Sequence, residues 1–184
     1  MNSGLQNLKF AARLRRTGSR RNSLQFKISS VDIRILTVGR RSARKQAGAD
    51  LLFSAYQERI GHYCRCRAES FASEEKLLAA VDPRAAGRTL PMLVLLDSRG
   101  RNWSTESFAR WLGAERDQGV QQIVFAVGPA DGWSPAARTR AGLMLSLGPM
   151  TLPHELAAVV LAEQIYRAFT ILEGLPYHLG HASE

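Results

Sequence analysis

The chain has 184 residues, is 45% hydrophobic and carries a net charge of +9, enough length and apolar content for one domain with a core of its own. No apolar run reaches the roughly 18 residues that a membrane span needs, and the absence of an apolar h-region argues against a secretory signal. The charge is uneven: Lys9, Arg13, Arg15, Arg16, Arg20, Arg21 and Lys27 put +7 of the +9 into residues 1–31, which contain no acid. Residues 1–30 therefore read as a basic, disordered extension and residues 31–184 as the domain. Such an arm can also contact nucleic-acid phosphates or resemble an organellar presequence, and the sequence does not choose among these. Cys64 and Cys66 make no disulfide framework, which fits a reducing cytoplasm. With His62 they form His-x-Cys-x-Cys, three residues on one face of an expected strand. Nothing nearby supplies a second shell, so no metal is expected.

From Val31 onward strands and helices alternate. VDIRILTV (31–38) reads as a strand, and RKQAGADLLFSAYQERIG (44–61) as a helix closing on Gly61. HYCRCRAE (62–69) reads as a half-exposed strand; SEEKLLAAVD starts a helix at Ser73 that Pro83 stops. LPMLVLLD (90–97) is an apolar run suited to a strand buried on both faces. A helix follows over 104–119, from a capping-box-like Ser104–Ser107 start to Gly119. QQIVFAVG is the next buried strand, Ser134-Pro135 starts a short helix, LMLSLG is a brief strand, and the last helix runs from 153 to about 173. This alternation predicts a mostly parallel α/β sheet flanked by helices, whose ligand crevice lies at the strands' carboxyl ends. Three ends run into loops with Gly or Pro: LLDSRG (95–100), AVGPADGW (126–133) and SLGPMTLP (146–153). No G-x-G-x-x-G follows a strand and no P-loop occurs, so a dinucleotide site is excluded.

LLDSRG, FAVGPADGWS, LSLGPMTLPHELAAVVLAEQIYRAF and PYH occur in this order, and together they closely resemble the ribosomal RNA large-subunit methyltransferase H family over roughly residues 31–178. That resemblance implies the SPOUT class of α/β proteins with a deep C-terminal trefoil knot. It implies S-adenosylmethionine as cofactor and methylation of N3 of a pseudouridine in 23S rRNA on assembled ribosomes. It also implies a homodimer, with the ribosome rather than DNA or a membrane as partner. By motif, the cofactor contacts fall on Leu96 at the end of the first knot strand, on Gly128 in the second loop, and on Gly148, Pro149, Met150, Thr151, Leu152 and Pro153 in the third. Glu163, Tyr166, Arg167 and His178 are the residues expected to organise the reaction. Two features depart from the family. Val127 stands where members often have a glycine, and Leu179 follows His178 where a basic residue is usual.

Two readings of the last helix remain open. Glu163 and Arg167, spaced i, i+4, make a structural ion pair beside a packed Tyr166, or the three shape the substrate pocket. Glu163, His154 and His178 are the candidates for a general base. GRRSARK (39–45), with RCR (65–67) beside it, is the expected phosphate-binding patch. A SPOUT enzyme acting on tRNA or another rRNA site, and a ribosome-binding protein without activity, are the rival functions.

Overall fold

The computed structural model describes residues 31–39, 47–82, 90–129 and 131–178. The expectations for the 1–30 arm, for most of the 39–45 patch, for Pro83 and for the chain after His178 lie outside these residues. Five strands, β1 (Asp32–Val38), β2 (Cys66–Phe71), β3 (Met92–Asn102), β4 (Gln122–Val127) and β5 (Leu143–Ser146), form one sheet in the order β2-β1-β4-β3-β5. Every neighbouring pair is parallel. The helices are α1 (Ala47–Gly61), α2 (Glu74–Ala80), α3 (Thr105–Asp117), α4 (Pro135–Arg140) and α5 (His154–Leu172), followed by a 3-10 turn at Pro176–His178.

The apolar runs in the central strands follow from burial on both sides. Ile33, Ile35, Val94, Ile123 and Phe125 face one layer, which holds Phe53 of α1, Leu112 of α3 and Leu161 and Ile165 of α5. The alternate residues Leu36, Leu93, Leu95, Val124 and Ala126 face the other, with Leu77 of α2, Ala137 of α4 and Trp133. The period of two along each strand sorts the side chains into these two cores. A side chain as fully buried as Leu161 or Ile165 contributes about 1.5–3 kcal/mol.

Serines set three helix starts. Ser73, Ser104 and Ser134 each accept a hydrogen bond from the backbone N–H three residues on, an arrangement worth about 1 kcal/mol per cap. Helix α5 differs: its N-cap is Pro153, with no side-chain cap.

Three expectations need correcting. The strand expected at His62 begins only at Cys66, because Tyr63 N and Cys64 N bond back to Ile60 O at 2.9 and 3.1 Å and coil the chain through 62–64. His62, Cys64 and Cys66 therefore do not share a strand face. Strand β3 runs past 97 to Asn102, because its pairing with Leu145 of β5 jumps from Leu96 to Arg101 and loops out Asp97–Gly100. The Arg65–Arg67 segment is not beside Gly39, the one described residue of the 39–45 patch. In the parallel register Cys66 sits opposite Ile33, at the amino end of the sheet, whereas Gly39 follows the carboxyl end of β1.

Candidate active site

The carboxyl ends of β3, β4 and β5 stand side by side, and the loops that leave them enclose one cleft of about 860 Å³. That size falls within the range of cofactor pockets, about 300–1,000 Å³. Leu96, Val127, Leu145, Leu147 and Ala157 give it apolar walls, while Asp97, Arg99, Arg138, Thr151 and His154 supply polar groups.

Of the eight expected cofactor contacts, Leu96, Gly128, Gly148, Met150, Thr151, Leu152 and Pro153 line this cleft. Pro149 lies in the same loop and does not line it. Gly148 has φ +125 and open space where a Cβ would project, so main chain there faces the cleft without a side chain in the way. Ser146, buried at the end of β5, donates to Gly148 O and accepts from Gly148 N, both at 3.2 Å, and so fixes the turn. Gly128 is small for a different reason than cofactor approach: a Cβ there would come within 2.8 Å of the Trp133 ring. Trp133 is buried and donates from Nε1 to Leu96 O at 2.9 Å, tying the second loop to the end of β3. Val127 is the last residue of β4, buried in the core and paired with Thr37 and Leu96. The loop begins one residue later, so a β-branched residue suits the position.

The charged groups of the cleft centre on Asp97. Arg99 reaches both of its oxygens, Nε to Oδ1 at 2.9 Å and NH2 to Oδ2 at 2.8 Å, and Arg138 Nε lies 3.7 Å from Oδ2. The hydrogen bonds from Arg99 outweigh desolvation and hold the Asp97 carboxyl below its usual range. Arg138 Nε is buried and, among the described residues, is the one buried side-chain polar atom without a hydrogen-bond partner. Asp97, Trp133, Ser146 and Arg138 were not singled out from the sequence. The only signal was their place in or just beyond the three strand-end motifs.

Of the residues expected to organise the reaction, Glu163, Tyr166 and Arg167 lie farther along α5 and His178 in the turn that follows it. Tyr166 is twelve residues beyond His154, about 18 Å along the helix at 1.5 Å per residue, and Glu163 about 13 Å. Glu163 binds Arg167 at 2.7 Å, and its other oxygen accepts from Gln164 Nε2 at 2.6 Å. Gln164 in turn accepts from Thr105 Oγ1 of α3 at 2.8 Å. Tyr166 meets Tyr56, Tyr63 and Tyr177 with ring centroids 6.2, 6.1 and 4.8 Å apart. Arg59 lies over Tyr56 and Tyr166, and Arg167 lies over Tyr177. Burial first, and then a hydrogen bond with Tyr56, push the Tyr177 hydroxyl up to about 12. His178 closes the 3-10 turn. His154 Nε2 pairs with Glu155 Oε1 at 3.2 Å at the mouth of the cleft. Among the described residues no group of three or more His, Cys, Asp or Glu side chains could hold a metal, and no helix is long and apolar enough to cross a membrane.

A parallel sheet whose strand-end loops form such a pouch places the chain among α/β proteins that bind a ligand at the carboxyl edge. Residues 31–178 match the family model described as "Predicted SPOUT methyltransferase", and membership in a methyltransferase family implies S-adenosylmethionine as methyl donor. The ribosomal RNA large subunit methyltransferase H of Koribacter versatilis (strain Ellin345) is 46% identical over 149 residues, 81% of this chain and 99% of that protein. The protein of the same name from Xanthobacter autotrophicus (strain ATCC BAA-1158 / Py2) is 50% identical over 114 residues, 61% of this chain and 68% of its own length. The chain belongs to the ribosomal RNA large subunit methyltransferase H family. A crystal structure of the SpoU methyltransferase AviRb from Streptomyces viridochromogenes with AdoMet aligns at a TM-score of 0.46 and 15% identity, covering 75% of this chain and 58% of that one.

Proposed function

We propose that the chain transfers a methyl group from S-adenosylmethionine to N3 of a pseudouridine in 23S rRNA, acting on assembled ribosomes in the cytoplasm as a homodimer. The observation that carries this reading is the convergence of the three strand-end loops on one pouch. The residues present fit the donor: apolar walls and the Trp133-braced loop suit a flat base, and open main chain at Gly148 suits hydrogen bonding to its edge. Leu96, Gly128 and the 148–153 loop would hold it. The reading includes the C-terminal trefoil knot, supported by the return of α5 across the sheet after the edge strand β5, to pack against α1 and α3.

Bound S-adenosylmethionine supplies an already activated methyl group, so the protein's main task is alignment, which can lower a barrier by about 7–11 kcal/mol. The loops fix one reactant through main chain held by Ser146, Trp133 and the prolines. The uracil-like ring must give up its N3 proton, and Glu163, or a water it holds, is the proton route in this reading. Arg167 and Gln164 orient that carboxylate, and Tyr166, Tyr177 and Arg59 offer faces on which RNA bases stack. His178 joins this group as an RNA or cofactor contact.

Within one protomer the proton route and the donor pouch lie more than one helical turn apart along α5, and a dimer resolves this. Leu156 and Val160 are 46% and 37% exposed, one turn apart on α5, and Leu51 and Leu52 are exposed on α1, an apolar surface suited to a second copy. Two copies of α5 crossing antiparallel about Val160 would set Arg167 of one opposite Pro153 of the other, so each pouch would be completed by the partner subunit.

The test is a labelled-donor assay on purified ribosomes and on tRNA, with the modified base mapped. Methyl transfer to a 23S pseudouridine N3 in ribosomes is expected. Transfer to tRNA, or none to ribosomes, overturns the reading.

A further inference from the structure

We propose that Thr105 is a positioning residue for methyl transfer: its hydroxyl sets the Gln164 amide, and that amide holds Glu163 with one lone pair of Oε2 open to the substrate proton. The proposal rests on the reading of Glu163 as the proton route and extends it to helix α3. An ionised carboxylate only accepts hydrogen bonds, so the end of Gln164 that lies 2.6 Å from Glu163 Oε2 is the NH2 group. The opposite end, 2.8 Å from Thr105 Oγ1, is then the carbonyl oxygen, and the Thr105 hydroxyl must donate to it. Thr105 is available for this because Ser104 caps α3 by accepting from Ser107 N. A contact between residues 59 apart in the chain thus ties the start of α3 to the middle of α5 and decides which way the amide faces.

A carboxylate offers about four lone-pair sites, and the neighbours of Glu163 engage all but one. Arg167 brings Nε to 2.8 Å and NH2 to 2.7 Å of Oε1, which uses both lone pairs of that oxygen. Gln164 uses one lone pair of Oε2. Among the described residues no further group bonds to this carboxylate, so the second lone pair of Oε2 is where the substrate proton arrives. There the N3–H bond breaks as the O–H bond forms, and the proton then leaves to water. The Glu163 side chain is 17% exposed, against 4% for the closed-over carboxylate of Asp97, so a substrate can approach it. Without the Thr105 donor the Gln164 amide loses its fixed direction, and the open site loses its aim.

Methylation of purified ribosomes by the full chain, with S-adenosylmethionine affinity measured alongside, tests this. Thr105→Val keeps the shape of the side chain and removes the hydroxyl. It is expected to lower kcat about 3- to 10-fold, the range of one hydrogen bond, and to leave KM for ribosomes and donor affinity unchanged. Thr105→Ser, which keeps the donor, should recover most of the loss. Because Thr105 acts through Glu163, adding Thr105→Val to Glu163→Gln should slow that variant by less than about twofold. An equal fractional loss in both backgrounds, or Thr105→Ser as slow as Thr105→Val, would give Thr105 a general packing role and overturn the proposal. Wild-type kcat in Thr105→Val, or donor affinity lost along with kcat, overturns it too. Wild-type kcat in Glu163→Gln removes the proton-route reading itself, and the proposal with it. Should Thr105→Val fail to fold, Gln164→Met reads the same link: kcat should fall with donor affinity kept, and an unchanged kcat overturns the proposal.

Discussion

Asp97 is nearly sealed from solvent, its side chain 4% exposed, and it stays ionised because Arg99 closes over it. A carboxyl whose folded pKa lies below its unfolded value stabilises the fold above the unfolded value and loses that contribution as pH falls through the folded one. The acid limb of stability, below about pH 4, should therefore be steeper in the wild type than in Asp97→Asn, measured by urea unfolding across pH; parallel limbs would contradict the assignment. Gly128 makes a second claim at this scale. Its Cβ would meet the buried Trp133 ring, so Gly128→Ala should cost about 1–3 kcal/mol and lower the melting temperature by several degrees at about 2–4 °C per kcal/mol; an unchanged melting temperature would show that the ring yields. For Glu163, the proton-route reading expects Glu163→Gln to cut turnover on ribosomes at saturating substrate by at least about a hundredfold, and unchanged turnover removes it from the chemistry. Sequence reading reached the cleft's main chain, because Gly and Pro at strand ends mark close turns. It did not reach the Asp97–Arg138 pair, whose members are brought together only by the order β4-β3-β5 of the sheet.

The elements themselves were legible where local chemistry announces them. Three serine caps and the continuous apolar strands fixed most boundaries to within a few residues. They failed where backbone hydrogen bonding overrode the side-chain pattern: local turn bonds onto Ile60 O at the end of α1 defeated the alternation at 62–66, and tertiary pairing with β5 drew β3 out to Asn102. Arg65–Arg67, at the start of β2, and Gly39, just past the end of β1, fall at opposite ends of two parallel strands, which charge pattern alone does not reveal. Helix α5 keeps Leu156 and Val160 exposed, while its other residues are buried or half-buried. The expected outcome of Val160→Asp is a shift from dimer to monomer in sedimentation, with donor binding retained and methylation of ribosomes lost. A variant that stays dimeric, or a wild type that sediments as a monomer, would remove α5 as the interface.

At the scale of the whole molecule, charge and cavity divide the work. Most of the net positive charge lies in residues 1–31, while the pouch is walled by apolar side chains around a compact ionic cluster. Ribosome methylation should accordingly fall steeply with salt as phosphate contacts are screened, whereas donor binding should change little; parallel salt responses would argue against that division. Everything functional in this account depends on the loops after β3, β4 and β5 forming the donor site. The most direct test is calorimetry of S-adenosylmethionine with the wild-type chain and with Gly148→Val, which puts a β-branched residue at φ +125 and so disturbs the turn that lines the cleft. The account predicts saturable binding by the wild type and at least about a tenfold loss in the variant, a difference of about 1.4 kcal/mol. No heat from the wild type, or equal affinity in the variant, would contradict it.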